Sequence, residues 1–203
     1  MVKVVGSKID MSWYQHGDVV VTAKKLLGKL LCTNFQGSIV KGKIVEVEAY
    51  SGDQDKACHA NNQRLTKRNQ VMFAAGGHAY VYLCYGIHHL FNVVTNMEGK
   101  ADAVLIRALE PVHGIETMLK RRNMTKVEKR LTGGPGVLTQ AMGIKTKHYG
   151  TALDSNSIWI EDAPYVESKD IVSTTRIGVE YAEEDAFKPW RFYIKENSWV
   201  SRF

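Results

Sequence analysis

The sequence lacks the cysteine pattern of a disulfide-bonded domain or a zinc ribbon. It has three cysteines, Cys32, Cys58 and Cys84, an odd number without a C-x-x-C pair. Such a set favours reduced thiols in an intracellular protein. Metal-binding motifs are missing as well, because the seven histidines are scattered and the adjacent His88 and His89 have the wrong spacing for two ligands on one face. We therefore expect no metal site.

The sequence also has no long apolar run. No stretch approaches the ~18 apolar residues needed to span a bilayer, and the first 17 residues contain no apolar segment after a basic region. We therefore expect neither a membrane span nor a secretory signal peptide. The 203 residues, of which 44% are hydrophobic and 24% charged, suit one globular domain with a core and a cleft.

Basic residues outnumber acidic ones, 27 to 21, which gives a formal net charge of +6. This excess permits a polyanionic partner such as nucleic acid without requiring one. The basic residues form two clusters: Arg64, Lys67 and Arg68, and then Arg121, Arg122, Lys126, Lys129 and Arg130. A charge run is usually a solvated face. The first cluster is the more informative, because it lies between an acidic strand and an aromatic hairpin.

Hydrophobic periodicity and turn residues predict the secondary structure. Helical spacing covers residues 18–31, with Asp18 as the N-cap and Gly28 at the helix end, and two further helices are predicted in 114–123 and 132–144. Strands are predicted over 39–50, 78–84, 89–96 and 101–111, a polar loop over 51–70, and strand with loop in 157–162, 171–182 and 189–197. The pattern predicts a single α+β domain, with a largely antiparallel curved sheet flanked by helices and a protruding β-hairpin.

The segment IVEVEAY carries two carboxylates and a phenol on one strand face, since Glu46, Glu48 and Tyr50 alternate with apolar residues. One interpretation is a solvent-facing edge strand, and the other is a cleft with a carboxylate base beside an aromatic ring. Carboxylates two residues apart on a strand are roughly 6–7 Å apart at the backbone. This overlaps the ~6.5–9.5 Å separation of inverting glycosidases, so a sugar glycoside hydrolase that uses Glu46 and Glu48 is one candidate.

The segment HAYVYLCYGIHH predicts a hairpin with an aromatic tip. Tyr80 and Tyr82 share a face, whereas Tyr85 falls at or near the turn, where a large ring gains little from burial. An aromatic wedge that enters a base stack is one reason to place a tyrosine there. Aromatic rings and basic charge also fit a non-catalytic nucleic-acid-binding module.

Taken together, these segments resemble the alkyladenine (3-methyladenine) DNA glycosylase family. The resemblance extends from about residue 18 to the C-terminus in the family's order, and residues 1–17 form a poorly matched extension of a single domain spanning 1–203. It rests on the segments LLGKLL, IVEVEAY, HANNQRLTKRN, MFAAGGHAYVYLCYGIHHLFNVV, VLIRALEP, LTGGPGVLTQAMGI, RIGV and KPWRFYI.

The resemblance implies an enzyme that flips alkylated or deaminated purines out of duplex DNA and hydrolyses the N-glycosidic bond with water. It implies no lyase step, no metal and no cofactor. The expected partner is double-stranded DNA containing damaged purines, and the expected form is a monomer located with the DNA inside the cell.

By position, the resemblance makes Glu48 the general base and places Arg107 near the catalytic water and the target phosphate. It assigns four residues to the base pocket and one to the gap left by the flipped nucleotide: Tyr50, His59, Tyr82 and Asn92, and then Tyr85. Asn92 falls on the residue that crowds the exocyclic amino group of guanine. The basic loop residues Arg64, Lys67 and Arg68 are expected to contact DNA.

The loop after His59 departs from the family pattern. The family often has Gly where this chain has Asn62 and Gln63, and a common Pro is replaced by Lys67. Because Asn tolerates left-handed backbone angles, we expect the loop to keep its path.

Overall fold

The computed structural model describes residues 6–202, so residues 1–5 of the predicted N-terminal extension lie outside the described residues. Within this range the chain forms three α-helices, α1 (Val19–Leu26), α2 (Ile115–Arg122) and α3 (Pro135–Met142). It also forms eight strands, β1 (Leu30–Phe35), β2 (Ser38–Tyr50), β3 (Ala79–Cys84), β4 (His88–Thr95), β5 (Asp102–His113), β6 (Ile158–Glu161), β7 (Ile171–Thr174) and β8 (Arg191–Ile194). Seven short 3-10 helices accompany them: Met11–Gln15, Asn61–Gln63, Gln70–Phe73, Lys129–Leu131, Thr146–His148, Ser168–Asp170 and Glu180–Phe187.

The strands form one open sheet in which every pairing between the named strands is antiparallel, and this confirms the predicted α+β class. Six strands follow the order β3-β4-β5-β2-β1-β6, while β8 pairs with both β2 and β7. β2 lies inside the sheet, because β5 runs along one side of it and β1 and β8 pair with its other side. The interpretation of IVEVEAY as a solvent-facing edge strand is therefore wrong. Register shifts on either side of Glu46 mark bulges, which bend a strand and curve a sheet.

The first helix is shorter than the apolar spacing over 18–31 suggested. The predicted cap is confirmed, since the Asp18 carboxylate accepts hydrogen bonds from the Val20 and Val21 N–H groups at 2.8 and 3.0 Å. The helix ends at Leu26, and Gly28 follows with a φ of 86°, as expected of a glycine at a helix end. Leu30 then begins β1, a strand that the sequence did not reveal because a short apolar run fits either period.

The described part of the predicted extension packs onto the core. Ile9 and Tyr14 are buried, and the Tyr14 carbonyl accepts a hydrogen bond from the Asn96 N–H at 2.8 Å. Residues 8–15 are therefore integral to the domain.

The predicted aromatic hairpin is confirmed as β3 and β4 at one edge of the sheet, with Tyr80 paired to Asn92. β5 continues past Pro111, where the sequence predicted its end, and Pro111 pairs with Gly42 beside a register shift.

No helix among the described residues has the length and apolar character needed to cross a membrane.

Candidate active site

A cavity of about 810 Å³ is lined by the end of β2, the β3–β4 hairpin and the segment 177–181. It brings together eight of the ten residues that the sequence singled out: Glu48, Tyr50, His59, Arg68, Tyr82, Tyr85, Asn92 and Arg107. Arg64 and Lys67 lie outside its wall, on the exposed part of the loop. Residues from distant parts of the chain thus meet at one concave site, the usual form of a small-molecule or nucleobase pocket.

Glu48 lines the cavity although it is fully buried from bulk solvent, and two hydrogen bonds and one ion pair hold its carboxylate. The Ile177 N–H donates to Oε1 at 2.8 Å, the Tyr50 hydroxyl donates to Oε2 at 2.7 Å, and the Arg107 guanidinium lies 3.2 Å from Oε1. Charge-assisted contacts of this kind fix a carboxylate in one orientation. Glu48 is therefore an oriented acidic group at the wall of a cavity that several aromatic rings also line.

Glu46 has a different environment, although it is only two residues away. Its carboxylate accepts from Arg107 Nε at 3.1 Å and Arg191 Nη1 at 2.8 Å, and from the N–H and hydroxyl of Ser201 at 2.6 and 2.9 Å. Glu46 is not among the residues that line the cavity. The Glu46 carboxylate is part of a buried ion-pair network, whereas Glu48 lines the cavity, so the two glutamates have different environments.

Arg107 connects the two carboxylates from β5. Burial alone would lower its pKa, but the charges of Glu48 and Glu46 outweigh that effect and leave the pKa raised. Arg107 therefore keeps its charge and presents a fixed cation at the cavity wall beside Glu48.

Tyr50 remains a neutral phenol that donates to Glu48. Its pKa is held well above the usual value, first by burial and then by the neighbouring Glu48 charge. The Arg176 guanidinium lies over its ring, 4.9 Å from the ring centroid. Arg176 therefore holds the ring of Tyr50 in place, and Glu48 holds its hydroxyl group.

Another part of the cavity wall is a cluster of three aromatic rings. Tyr80 and Tyr82 have ring centroids 5.3 Å apart, which confirms that they share a strand face. The His59 ring meets Tyr82 edge-on at 4.7 Å, and His59 Nδ1 shares a 2.8 Å hydrogen bond with the Tyr80 hydroxyl. Tyr80 is buried and acts through His59, because it fixes the orientation of that ring.

His59 provides a pH prediction. Although the residue as a whole is exposed, desolvation of its ring, and next the charge of Arg68, lower the pKa of His59 to about 4. In the unfolded chain the pKa is about 6.5, so the folded state is favoured fully above that pH and loses this contribution as the pH falls toward 4. In an NMR titration of the imidazole nitrogens, we expect His59 to stay neutral down to about pH 5. A midpoint near the ordinary histidine value would contradict this environment.

Asn92 lies at the floor of the cavity on β4 and is almost fully buried. Its Nδ2 donates to the Tyr80 carbonyl across the strand pair at 3.1 Å, so the amide is held in one orientation. A fixed amide at this position can discriminate between ligands by their shape.

Tyr85 stands at the tip of the hairpin, and 90% of its surface is exposed. Its φ is 50° and that of Gly86 is 72°, so both residues of the turn are left-handed. A bulky residue at positive φ is uncommon and costs about 1–3 kcal/mol. The chain therefore holds an exposed aromatic ring in a strained turn at the mouth of the cavity, where neither burial nor turn preference favours it.

The loop after His59 keeps left-handed backbone angles, with φ values of 55° at Asn62 and 54° at Gln63. This agrees with the expectation for Asn62. The loop brings Arg68 to within 5.0 Å of the Tyr82 ring centroid, so one basic residue of the first cluster reaches the pocket itself.

The second basic cluster is partly structural. Arg121 Nη1 donates to the Ala141 carbonyl at the end of α3 at 3.1 Å, and Arg122 donates to the Arg130 carbonyl at 3.1 Å. Arg130 also contributes to the cavity wall.

Across residues 6–202, no group of three or more His, Cys, Asp or Glu side chains is arranged to hold a metal ion.

Sequence reasoning missed Asp55, Arg176 and the Ile177 N–H. The sequence did not distinguish Asp55 from the other polar residues of the loop 51–70. Arg176 lies in the segment RIGV, which contributed to the family resemblance, but no function was predicted for it. The Ile177 backbone donor has no side-chain signal at all, since every non-proline residue carries an N–H.

The chain is similar to known proteins over most of its length. The family model described as Methylpurine-DNA glycosylase (MPG) matches residues 12–198. The chain is 45% identical over 202 residues to a protein of Alkaliphilus oremlandii, covering 96% of this chain and 99% of that protein. It is 48% identical over 198 residues to a protein of Bacillus mycoides, covering 93% and 97% respectively. Both relatives carry the name "Putative 3-methyladenine DNA glycosylase".

Proposed function

The chain belongs to the methylpurine-DNA glycosylase family, and we propose that it removes alkylated or deaminated purines from duplex DNA by hydrolysing the N-glycosidic bond. The observation that carries the proposal is the buried Glu48 at the cavity wall, whose carboxylate accepts hydrogen bonds from Ile177 and Tyr50 and forms an ion pair with Arg107. Duplex DNA inside the cell is the proposed partner, and the protein acts on it as a monomer.

The aromatic walls support binding of an extruded base. A purine flipped out of the helix needs flat surfaces above and below it, and the rings of Tyr50, His59 and Tyr82 all line the cavity. Alkylation at N3 or N7 makes the purine cationic, and electron-rich rings favour a cation over normal adenine or guanine. The neutral state of His59 adds no opposing charge.

Glu48 is the proposed general base, with Arg107 as the group that holds its carboxylate. The oxygen of a water molecule forms a bond to C1′ while its proton passes to Glu48. The bond between C1′ and the purine nitrogen breaks, and its electron pair leaves with the base. Positive charge develops on the sugar meanwhile, and a nearby carboxylate stabilises it. No lysine is present among the described residues that line the cavity, which favours water over an amine nucleophile and an abasic product without strand cleavage.

Tyr85 is the proposed wedge, and the basic loop is the proposed backbone contact. An exposed tyrosine beside the cavity can occupy the space vacated by the flipped nucleotide. Arg64 and Lys67 face solvent, and Arg68 reaches the pocket, so the loop can contact phosphates next to the target.

The alternative functions explain less. A sugar glycosidase with a Glu46/Glu48 pair requires two available carboxylates, yet Glu46 is bound by two arginines and Ser201. A non-catalytic binding module leaves a buried carboxylate beside a DNA-binding surface without purpose, because it repels phosphate.

A release assay tests the proposal. Incubation with methylated duplex DNA is expected to release free purine and leave alkali-labile abasic sites. Strand breaks that appear without alkali would indicate a lyase, and intact methylated purines after prolonged incubation at excess enzyme would reject the proposal.

Asn92→Ser is expected to widen the pocket toward guanine. Guanine differs from hypoxanthine by its exocyclic amino group, and Asn92, whose amide is held by the Tyr80 carbonyl, is the proposed residue that excludes that group. Since an atom-sized change in a pocket is worth about 1–3 kcal/mol, excision of guanine-type lesions relative to hypoxanthine should rise by roughly tenfold or more. Single-turnover rates on matched lesion duplexes measure this ratio, and an unchanged ratio would remove Asn92 as the discriminating residue.

A further inference from the structure

We infer that the buried Arg176–Asp55 pair is a positioning device for the Glu48 carboxylate, an inference that rests on the proposed function. The pair is bidentate, with Arg176 Nη1 2.6 Å from Asp55 Oδ2 and Nη2 2.8 Å from Oδ1. Both side chains are fully buried. A fork of this kind fixes two segments in distance and in angle, as a lysine or a single hydrogen bond does not.

The Arg176 guanidinium joins several elements that surround the cavity. Nη1 also donates to the Ala49 carbonyl in β2, and Nη2 to the Asp185 carbonyl in the 3-10 helix Glu180–Phe187, both at 3.0 Å. Its planar group lies between two aromatic rings, 4.9 Å from the Tyr50 centroid and 5.3 Å from that of Trp190. One side chain therefore sets the relative placement of β2, the 3-10 helix and the start of β8.

Asp55 extends the same arrangement to the loop that carries His59. Its carboxylate accepts from the Ser51 N–H and the Ala57 N–H, each at 3.2 Å, which closes the loop around it. Ala57, Cys58 and His59 follow directly and line the cavity. The ion pair therefore fixes the His59 side of the pocket relative to β2.

The connection to Glu48 runs through its donors. Ile177 follows Arg176 in the chain, and its N–H is the 2.8 Å donor to Glu48 Oε1. Tyr50, whose ring lies against the Arg176 guanidinium, is the 2.7 Å donor to Oε2. Two of the three donors on the proposed base are therefore held in place by Arg176. Arg107 is the third, and it is held from the other side by Glu46.

Stability alone is a weak reason for this pair. Desolvation offsets much of the attraction in a buried ion pair, and a well-packed apolar pair of similar volume is often as stable. The fork geometry, which an apolar pair cannot reproduce, accounts for its presence beside a group that must be oriented for reaction.

The test measures single-turnover excision of a defined lesion from pH 5 to 9 with Arg176→Lys and Asp55→Asn, each of which keeps side-chain volume but breaks the fork. We expect the rate constant near neutral pH to fall about 10²-fold, the effect of a displacement of roughly 1 Å. The Kd for lesion duplex and the reaction amplitude should remain near wild type. A fall in the rate constant that appears at every pH, with an unchanged Kd, is a result that a purely structural role of the pair would not produce.

Lys29→Met is the matched control, because Lys29 is a buried cation paired with Asp162 outside the cavity. It should lower the melting temperature and leave the rate constant and pH profile unchanged. A wild-type rate constant with reduced amplitude in the Arg176 and Asp55 variants would overturn the inference and make the pair structural only. An equal fall in rate for Lys29→Met would overturn it as well. If the wild-type protein itself releases no purine, the proposed function fails and the positioning role fails with it.

Discussion

Glu48→Gln is expected to slow single-turnover excision of an alkylated purine by at least ~10²–10⁴-fold, the usual effect of losing a general base. Glutamine keeps the shape, and its amide oxygen can still accept from the Ile177 N–H, while its NH2 group can donate to the Tyr50 hydroxyl oxygen that now donates to Oε2. It removes the basicity that accepts a proton from water and the charge that stabilises the developing cation, and the second loss adds to the first. Binding of lesion duplex should persist or tighten, because a negative charge near the phosphates is gone.

Glu46→Gln is the control for this variant. It lies on the same strand, but its carboxylate contacts Arg107, Arg191 and Ser201 outside the cavity wall. We expect a lower free energy of unfolding, because two buried arginines lose a charged partner, with a much smaller fall in the rate constant of the folded fraction. Near-wild-type excision by Glu48→Gln, or an equal collapse of the rate constant in Glu46→Gln, would mean that Glu48 is not the base.

Tyr85→Ala is expected to weaken retention of the flipped state. A ring that stacks on bases contributes about 1–3 kcal/mol, so the Kd for lesion duplex should rise roughly 5- to 150-fold. Binding to undamaged duplex should change less, since phosphate contacts dominate it. Fluorescence anisotropy on damaged and undamaged duplexes of one sequence measures both values, and an equal loss on the two would count against the wedge.

Tyr85→Gly separates this role from stability. The tyrosine is 90% exposed and has a φ of 50°, a backbone angle that glycine adopts without strain. The free energy of unfolding should therefore stay unchanged or rise by up to about 1 kcal/mol, while lesion binding falls as in Tyr85→Ala. A clear loss of stability in Tyr85→Gly would show that the ring serves the fold.

The sequence by itself determined the features that depend on local pattern. Alternation and turn residues predicted the β3–β4 hairpin with Tyr85 at its tip, and capping chemistry predicted the start of α1 at Asp18. The family resemblance then predicted which residues meet in one pocket, and Glu48, Tyr50, His59, Tyr82 and Asn92 do line one cavity. The hairpin of β1 and β2 was not predicted, because the apolar residues after Gly28 fit a helix as well as a strand.

Only the tertiary structure decided which of two similar carboxylates faces the cavity. Glu46 and Glu48 differ in sequence only by position, and both are buried in β2. Glu46 lies beside bulges in β2, where β8 pairs with the strand and Ser201 donates to its carboxylate, so Glu46 is enclosed in an ion-pair network. Glu48 instead contacts Ile177 and Tyr50 at the cavity. Ile177, Arg191 and Ser201 come from segments more than 100 residues away. The backbone donors of Ile177 and Ser201 carry no signal in the side-chain sequence.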